Sequence, residues 1–334
     1  MTSLKDIAKS CNVSIATVSK ALNDHDDISE ETKAFIREVA DNLGYFPNNT
    51  ARALKTNRTY NLGVICYDIG IGHEYFSKVL ESFVFAADTG GYSVTFVGDH
   101  LGKDKTTYYE QCVYKGFDGV CIINADFISP EIHELAVSAL PMVAIDYEFN
   151  NRTGVMSDNI EGMRALVENV CGLGHRKLAF IHGSRTAVTE KRLIGFYRAC
   201  RDFGVDVSDE YVREGYFHNP AASGKLTKEM LALKERPTCI FYPDDFSCIG
   251  GMNAIYDAGL SIPGDISIVG YDGIFISQVL RPRLTTYKQD TDTLGRMAAN
   301  QLIKAIEHPK TALRENTFVK GELLPGETVS AVNQ

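Results

Sequence analysis

Apolar side chains in the first sixty residues recur at intervals of three and four, which is the spacing of one helix face. The first stripe consists of Leu4, Ile7, Ala8 and Cys11. The second follows Ser14, a suitable N-cap, and consists of Val18, Ala21 and Leu22. The third lies between Ser29 and Gly44 and consists of Phe35, Ile36, Val39, Ala40 and Leu43. The pattern predicts three helices, the first two joined as in a helix-turn-helix.

The second predicted helix carries an apolar residue where water is expected. With its stripe facing a core, the opposite face consists of Ile15, Ala16, Ser19, Lys20 and Asn23. An exposed Ile15 is compatible with a simple helical bundle, because single apolar residues are common on protein surfaces. The alternative hypothesis is that this face contacts a macromolecule instead of solvent.

From residue 61 onward, short apolar runs alternate with amphipathic helical patterns. The predicted strands are 62–67, 92–98, 119–123, 142–146, 177–183, 238–243 and 266–272. This alternation predicts parallel sheets wound with helices on both faces. The strands divide near residue 160 into two similar halves, which indicates two lobes with a ligand cleft at the carboxyl ends of the strands.

The distribution of charge and the cysteines indicate which partners the protein suits and which cellular compartment it occupies. The 334 residues carry a net charge of −9. Residues 1–60 contain eight basic and eight acidic residues, so the excess of acidic residues lies in residues 61–334. Segment 47–60 is basic and contains no acid, which suits contact with phosphates. The eight cysteines form no C-x-x-C pair and favour a reducing compartment. Without a signal segment or an apolar run of about 20 residues, we expect a cytoplasmic protein with no membrane partner.

Two nucleotide-binding patterns are incomplete. The G-x-G-x-x-G pattern that starts at Gly70 has Tyr75 in its last position. Gly224-Lys225 resembles the end of a P-loop, but Leu226 replaces the required hydroxyl residue. The sequence therefore gives no support for a nucleotide-dependent enzyme.

Two further pairs suggest metal or acid–base chemistry only weakly. Cys171 and His175 have i, i+4 spacing, but no second ligand pair lies nearby. Adjacent residues such as Asp244 and Asp245 diverge in direction, which favours one carboxylate plus one helix cap over a catalytic pair. We expect no enzyme activity, no cofactor and no metal.

The segments LKDIAKSCNVSIATVSKALN and ISEETKAFIREVADNLGYFPNNTARALKTNRT resemble the headpiece and hinge of the LacI/GalR family of bacterial transcriptional regulators. The resemblance implies that Ile15, Ala16 and Lys20 read base edges in the major groove. It also implies supporting or phosphate contacts from Ser14, Thr17, Ser19, Asn23, Ser29, Thr32, Tyr45 and Asn48. At the hinge, it implies that Leu54 wedges into a minor-groove step, with Ala51 and Lys55 also at the DNA.

Further segments, SDNIEGM, KRLIGFYRAC, YPDDFSCIGGMNAIYDAGLSIPGDISIVGYDG and RPRLTTYKQD, resemble the effector core of that family, which is similar to periplasmic sugar-binding proteins. The matching contact positions are Asp146, Arg192, Phe217, Asp244 and Asp272, with Tyr75 and Phe76 as further candidates. Carboxylates, a guanidinium and an aromatic face suit a polyhydroxylated ring. Each residue also has a structural interpretation, as a turn cap, a surface ion pair or part of the core.

The sequence departs from the family in two places. The loop DIGIGHEYF after the first strand is longer than the family's compact turn. Asp244 stands where many relatives carry Asn, which adds negative charge and leaves an amino sugar or another cationic effector open. A non-sugar effector such as a nucleobase is the alternative.

Together these observations predict an all-α helix-turn-helix headpiece followed by an α/β two-lobed core of the periplasmic-binding-protein type, with doubly wound parallel sheets. The predicted boundaries are 1–46 for the DNA-binding domain, 47–60 for the hinge, 61–159 with 291–318 for one lobe, and 160–290 with 319–334 for the other. We expect a homodimeric regulator, a repressor in our preferred interpretation, that binds palindromic double-stranded DNA and responds to a small sugar. The rivals are a carbohydrate-binding or transport protein that uses only the core, and an enzyme that acts on a carbohydrate.

Overall fold

The computed structural model describes residues 2–22, 24–45, 58–66, 72–98 and 106–332. The chain divides into two compact units, Met1–Thr59 and Tyr60–Gln334. We call the first the headpiece and the second the larger unit.

The headpiece contains the three predicted helices. They are α1 (Leu4–Cys11), α2 (Ile15–Leu22) and α3 (Glu30–Asn42). Their buried apolar residues form one cluster, which consists of Ile7, Ala8, Cys11, Val18, Ala21, Ile36 and Ala40. The predicted helix ends are confirmed as well, because Ser29 caps α3 and Gly44 follows it with φ +61°.

The predicted apolar stripe of α3 is wrong in two positions. Phe35 is 49% exposed and Leu43 is 39% exposed, whereas Lys33 is only 3% exposed. Lys33, Ile36 and Ala40 lie on one face at i, i+3, i+7, and Phe35 is rotated away from that face by about 100°. The aliphatic stem of Lys33 therefore takes a place in the core that the apolar pattern gave to Phe35.

The first sheet of the larger unit has six parallel strands in the order β11-β5-β4-β3-β1-β2. These strands are β1 (Asn61–Cys66), β2 (Ser93–Phe96), β3 (Gly119–Asn124), β4 (Met142–Ile145), β5 (Thr153–Ser157) and β11 (Asn316–Val319). Its helices are α4 (Glu74–Thr89), α5 (Tyr108–Tyr114), α6 (Pro130–Val137) and α12 (Thr291–Glu307). Two apolar clusters lie on the two faces of this sheet, as the doubly wound pattern predicts.

The second sheet has four parallel strands in the order β7-β6-β8-β9. They are β6 (Leu178–His182), β7 (Val212–Glu214), β8 (Cys239–Phe241) and β9 (Ser267–Val269). The helices that follow in this half are α7 (Asn159–Gly172), α8 (Ala187–Asp202), α9 (Pro220–Leu231), α10 (Asp245–Asp257) and α11 (Phe275–Val279). Separate apolar clusters again cover the two faces.

A short antiparallel pair, β10 (Thr286–Lys288) and β12 (Glu322–Leu324), completes the larger unit. All seven predicted strands are present, but β5, β7, β10, β11 and β12 were not predicted, because most of these are short and several alternate polar with apolar residues. Strand β11 pairs with β5 although about 160 residues separate them in the chain. The boundaries of the two lobes, 61–159 with 291–318 and 160–290 with 319–334, stay a prediction.

All eight cysteines are free, and only Cys66 among them is partly exposed. Burial raises the pKa of the Cys66 thiol to about 11. None of the described helices combines the length and hydrophobicity that crossing a membrane requires.

Candidate functional site

The outer face of α2 is open to solvent. Ile15 is 49% exposed, and Ser14, Ala16 and Lys20 are also exposed, while Val18 beneath them is completely buried. Among the other predicted DNA contacts in the described headpiece, Ser29 is exposed. Four more are half-buried: Thr17, Ser19, Thr32 and Tyr45. One surface thus presents an apolar side chain, a cation and several hydroxyls.

Two hydroxyl pairs mark the starts of α2 and α3. The Oγ of Ser14 accepts a hydrogen bond from the Thr17 amide at 3.0 Å, and the two side-chain oxygens lie 2.8 Å apart. Ser29 accepts from the Thr32 amide at 3.3 Å, with the same 2.8 Å separation of hydroxyls. These residues cap helices, and the positive end of each helix dipole also favours a phosphate there.

Lys20 forms an exposed ion pair with Asp27, in the loop after α2. The hydrogen bond from Lys20 lowers the pKa of Asp27. Five predicted contacts, Asn23, Asn48, Ala51, Leu54 and Lys55, lie outside the described residues, so these assignments stay predictions.

The larger unit contains a partly open cavity of about 380 Å³ where the carboxyl ends of strands from both sheets meet. Six of the seven predicted effector contacts line it: Tyr75, Phe76, Asp146, Arg192, Phe217 and Asp272. Its other walls are largely apolar and aromatic. This is the place where parallel α/β sheets bind ligands.

Arg192, on α8, is held from several sides and is only 4% exposed. Its Nε donates to Asn159 Oδ1 at 2.8 Å, and its Nη1 donates to the Pro243 carbonyl at 2.6 Å. The guanidinium lies 3.6 Å from the centre of the Tyr271 ring and 5.7 Å from that of Phe217. The group is therefore fixed before any ligand arrives, which lowers the entropic cost of binding.

Asp272 faces Arg192 across the cavity wall, with 3.6 Å between Oδ1 and Nη2. Burial raises the pKa of Asp272 to about 7, against the opposing effect of Arg192. Gln289 donates from Nε2 to Asp272 Oδ1 at 2.7 Å, while its own buried Oε1 has no hydrogen-bond partner within the described structure. Gln289 was not among the predicted contacts, although it stands in the quoted RPRLTTYKQD segment. Gln289 is also one of the residues that line the cavity.

Asp146 ends β4 in the first lobe. It accepts a hydrogen bond from the Tyr75 hydroxyl at 2.6 Å and another from the Ser157 amide at 2.9 Å. Burial raises its pKa. Tyr75 and Asp146 therefore form one rigid polar element of the wall.

Asp244, a predicted effector contact, does not line the cavity. It is fully buried and caps α10, accepting from the amides of His218 at 2.8 Å and Ser247 at 2.7 Å. Burial opposes its ionisation, but the nearby side chain of His218 and the hydrogen bonds from the two amides hold its pKa below the usual value. The negative charge that the sequence placed in the ligand pocket therefore binds the protein's own N–H groups. A helix cap requires this, because its side-chain oxygen must face the first N–H groups of the helix.

Asp245 is buried in a different direction. It accepts from the Thr286 hydroxyl at 2.5 Å and the Ile274 amide at 2.9 Å, and burial raises its pKa far above the usual value. The pair Asp244–Asp245 therefore works as a cap and a structural acid, as the divergence of adjacent side chains predicted.

Aromatic residues form the remaining walls and join the lobes. Phe127 and Tyr147 stack in parallel at 4.5 Å on one side. His73 precedes α4 and His218 follows β7, and their rings lie 3.7 Å apart. Burial lowers the pKa of His73 to about 4, so it is neutral at pH 7 and does not repel its neighbour. Gly183 is required beside Phe217, because a Cβ there would approach the ring to 2.2 Å.

Comparisons with known proteins identify families that match both parts of the chain. Residues 3–48 match the model of bacterial regulatory proteins of the lacI family, and residues 167–329 match a periplasmic binding protein-like domain. The probable HTH-type transcriptional repressor ExuR of Bacillus subtilis is 31% identical over 95% of this chain and 96% of its own length. The HTH-type transcriptional repressor PurR of Mannheimia succiniciproducens is 30% identical over 99% and 100%.

Solved structures show the same fold. The lac repressor dimer bound to operator and the anti-inducer ONPF superposes with a TM-score of 0.76, 24% identity and 99% coverage of both chains. The regulator CelR in complex with cellobiose gives 0.73, 21% identity, and coverage of 98% and 100%. The two-part architecture predicted from the sequence is confirmed. The chain belongs to the lacI family of bacterial regulatory proteins.

Proposed function

We propose that this lacI-family repressor acts as a homodimer that binds a palindromic operator. A small sugar-like ligand in the cavity raises or lowers its affinity for that operator. The observation that carries the proposal is the coexistence of two surfaces in one chain: the exposed Ile15 and Lys20 on a short helix, and the partly open cavity around Arg192 and Asp272. We further propose that the protein is cytoplasmic and has no enzymatic activity.

At the DNA end, α2 lies in the major groove. Ile15 suits a thymine methyl group, and Lys20 suits the acceptors of guanine. A two-fold dimer places two such helices on half-sites related by symmetry, which explains a palindromic site. The hinge, proposed as 47–60, follows the minor groove with Leu54 as its wedge.

At the ligand end, the cavity is lined by the carboxylate of Asp272, the amide of Gln289 and the fixed guanidinium of Arg192. Hydroxyls on a ring satisfy both kinds of group, and an aromatic wall packs against the ring's C–H face. A sugar is therefore our first candidate. Because Phe76 and Phe217 also suit a planar ring, a nucleobase is the second.

The DNA proposal is tested by selecting duplexes from a library of random sequence. We expect the recovered sites to have dyad symmetry and to bind more tightly than random duplexes. Leu54→Ala should weaken binding to the recovered site without changing ligand binding. Recovery of sequences without symmetry or preference would contradict the proposal.

The ligand proposal is tested by a thermal-shift screen of sugars, amino sugars and nucleobases, because a bound ligand raises the melting temperature by mass action. Tyr216→Ala should weaken binding of the hit, since Tyr216 lines the cavity. Tyr256→Ala is the matched control, because Tyr256 is a similarly exposed tyrosine away from the cavity. Equal loss in both variants would contradict the site.

A further inference from the structure

The loop of residues 24–28 carries three aspartates directly behind the DNA-facing helix. It is anchored at both ends: the Asp24 amide donates to the Ala21 carbonyl at 3.3 Å, and Ile28 packs on the headpiece core. The Asp24 carboxylate is held by Lys33 at 3.1 Å and Arg37 at 2.8 Å, both on α3. The loop is therefore fixed against the rest of the headpiece.

The other two aspartates of this loop differ in one respect. Asp27 forms an ion pair with Lys20, and the two side chains are 54% and 46% exposed. Asp26, also exposed, has no ion-pair partner among the described residues. The pair Lys20–Asp27 joins the residue proposed to read bases with a carboxylate seven positions later.

A carboxylate beside DNA is unfavourable next to a phosphate, because both are anions and a phosphate offers no donor. The edge of a G·C base pair is different. Guanine O6 and N7 accept from a lysine, and the adjacent cytosine N4 amino group donates to a carboxylate. An ammonium and a carboxylate held together therefore match a G·C edge and mismatch the backbone.

We propose that Asp27 is a specificity-determining residue that withholds Lys20 from phosphates and releases it to the edge of a G·C base pair. This inference rests on the proposed DNA-binding function. It predicts that Asp27 weakens binding to DNA in general and widens the gap between the operator and other sequences.

The test compares Asp27→Asn with Asp26→Asn, which makes the same charge change one residue away. Each variant is titrated with a random-sequence duplex and with the duplex selected by the wild type, at several salt concentrations. We expect Asp27→Asn to bind the random duplex several-fold more tightly than Asp26→Asn does, with a salt slope steeper by about 1, because a freed Lys20 contacts one more phosphate. The ratio of selected to random affinity should fall.

The same substitution in a Lys20→Gln background separates this effect from general charge. There, Asp27→Asn and Asp26→Asn should behave alike. If the two behave alike with Lys20 present, or if the Asp27→Asn effect persists without Lys20, the inference is wrong. Absence of any preference in the wild type would overturn the proposed function together with this inference, whereas a selective wild type with equivalent variants would overturn the inference alone.

Discussion

The ion pairs at the proposed binding sites of the headpiece and of the larger unit lie in opposite environments. In the headpiece, Lys20 and Asp27 are about half exposed, with side-chain exposures of 46% and 54%. In the larger unit, the side chains of Arg192 and Asp272 are each 5% exposed. Water and salt screen the first pair, while the second is removed from both.

The difference suits two kinds of partner. DNA is itself highly charged and arrives with counterions, so an exposed cation keeps its solvation until the groove replaces it. A small ligand offers only a few polar groups and needs a fixed, desolvated site to be recognised. We therefore expect salt concentration to affect DNA binding by the headpiece, and pH to affect the ionisation of the buried groups at the cavity.

The largest expected effect comes from breaking the buried side of this comparison. Arg192→Met leaves the acceptors of Asn159 and Pro243 without their donor in a buried site, so we expect a loss of about 3 kcal/mol in the free energy of unfolding. Urea unfolding followed by circular dichroism measures it. The control is Lys177→Met, which breaks an exposed pair with Glu235 and should leave the midpoint almost unchanged. Similar losses in both variants would remove the distinction between the two environments.

A smaller, pH-dependent effect is expected at Asp272. Its pKa is raised by burial from an ordinary 3.8 to about 7. Between these values the folded state keeps a proton that the unfolded state has released, so stability falls as pH rises from about 4 to 7 and then levels off. Asp272→Asn should reduce this decline in urea midpoints measured across that range.

Asp265→Asn is the control for the pH profile. Hydrogen bonds from Ser261 lower the pKa of exposed Asp265, so its contribution is lost only in more acidic solution. The Asp265→Asn profile should keep the wild-type decline between pH 4 and 7. An Asp272→Asn profile parallel to the wild type would show that Asp272 does not titrate in this range.

The smallest stability effect is expected on the exposed side of the comparison. Ile15→Ser should change headpiece stability by no more than about 0.5 kcal/mol, because the side chain is half exposed. Its binding to the selected duplex should nevertheless weaken. Val18→Ala, one turn along and fully buried, should destabilise the headpiece by about 2 kcal/mol, measured by hydrogen exchange of α3 amides. A large stability loss in Ile15→Ser would place Ile15 in the core.

The sequence predicted the helices of the headpiece and the wound sheets because their apolar periodicity is long and regular. It failed where the pattern is short or where the chain returns from a distance. Strand β11, for example, is four residues of which only Val319 is buried. Phe35 was misplaced because an apolar residue beside the core face looks the same in sequence as one on it.

The same limit applies to the cavity. Resemblance led to six of its lining residues, but it also included Asp244, whose oxygens face the backbone of α10. Gln289 was missed, because a single glutamine in a loop carries no periodic signal. Which oxygen of a side chain faces a ligand and which faces a neighbouring amide depends on tertiary packing, which residue type alone does not determine.

The burial of the native thiols also makes the chain well suited to spectroscopy. Labelling reagents attack thiolates, so seven enclosed cysteines and a Cys66 whose pKa is raised to about 11 should all react slowly at neutral pH. A cysteine introduced at an exposed position outside the proposed DNA contacts, such as Phe35, would then carry a fluorophore selectively while the DNA-facing residues of α2 stay unchanged. Docking of α2 onto a duplex could be followed in real time from that one dye.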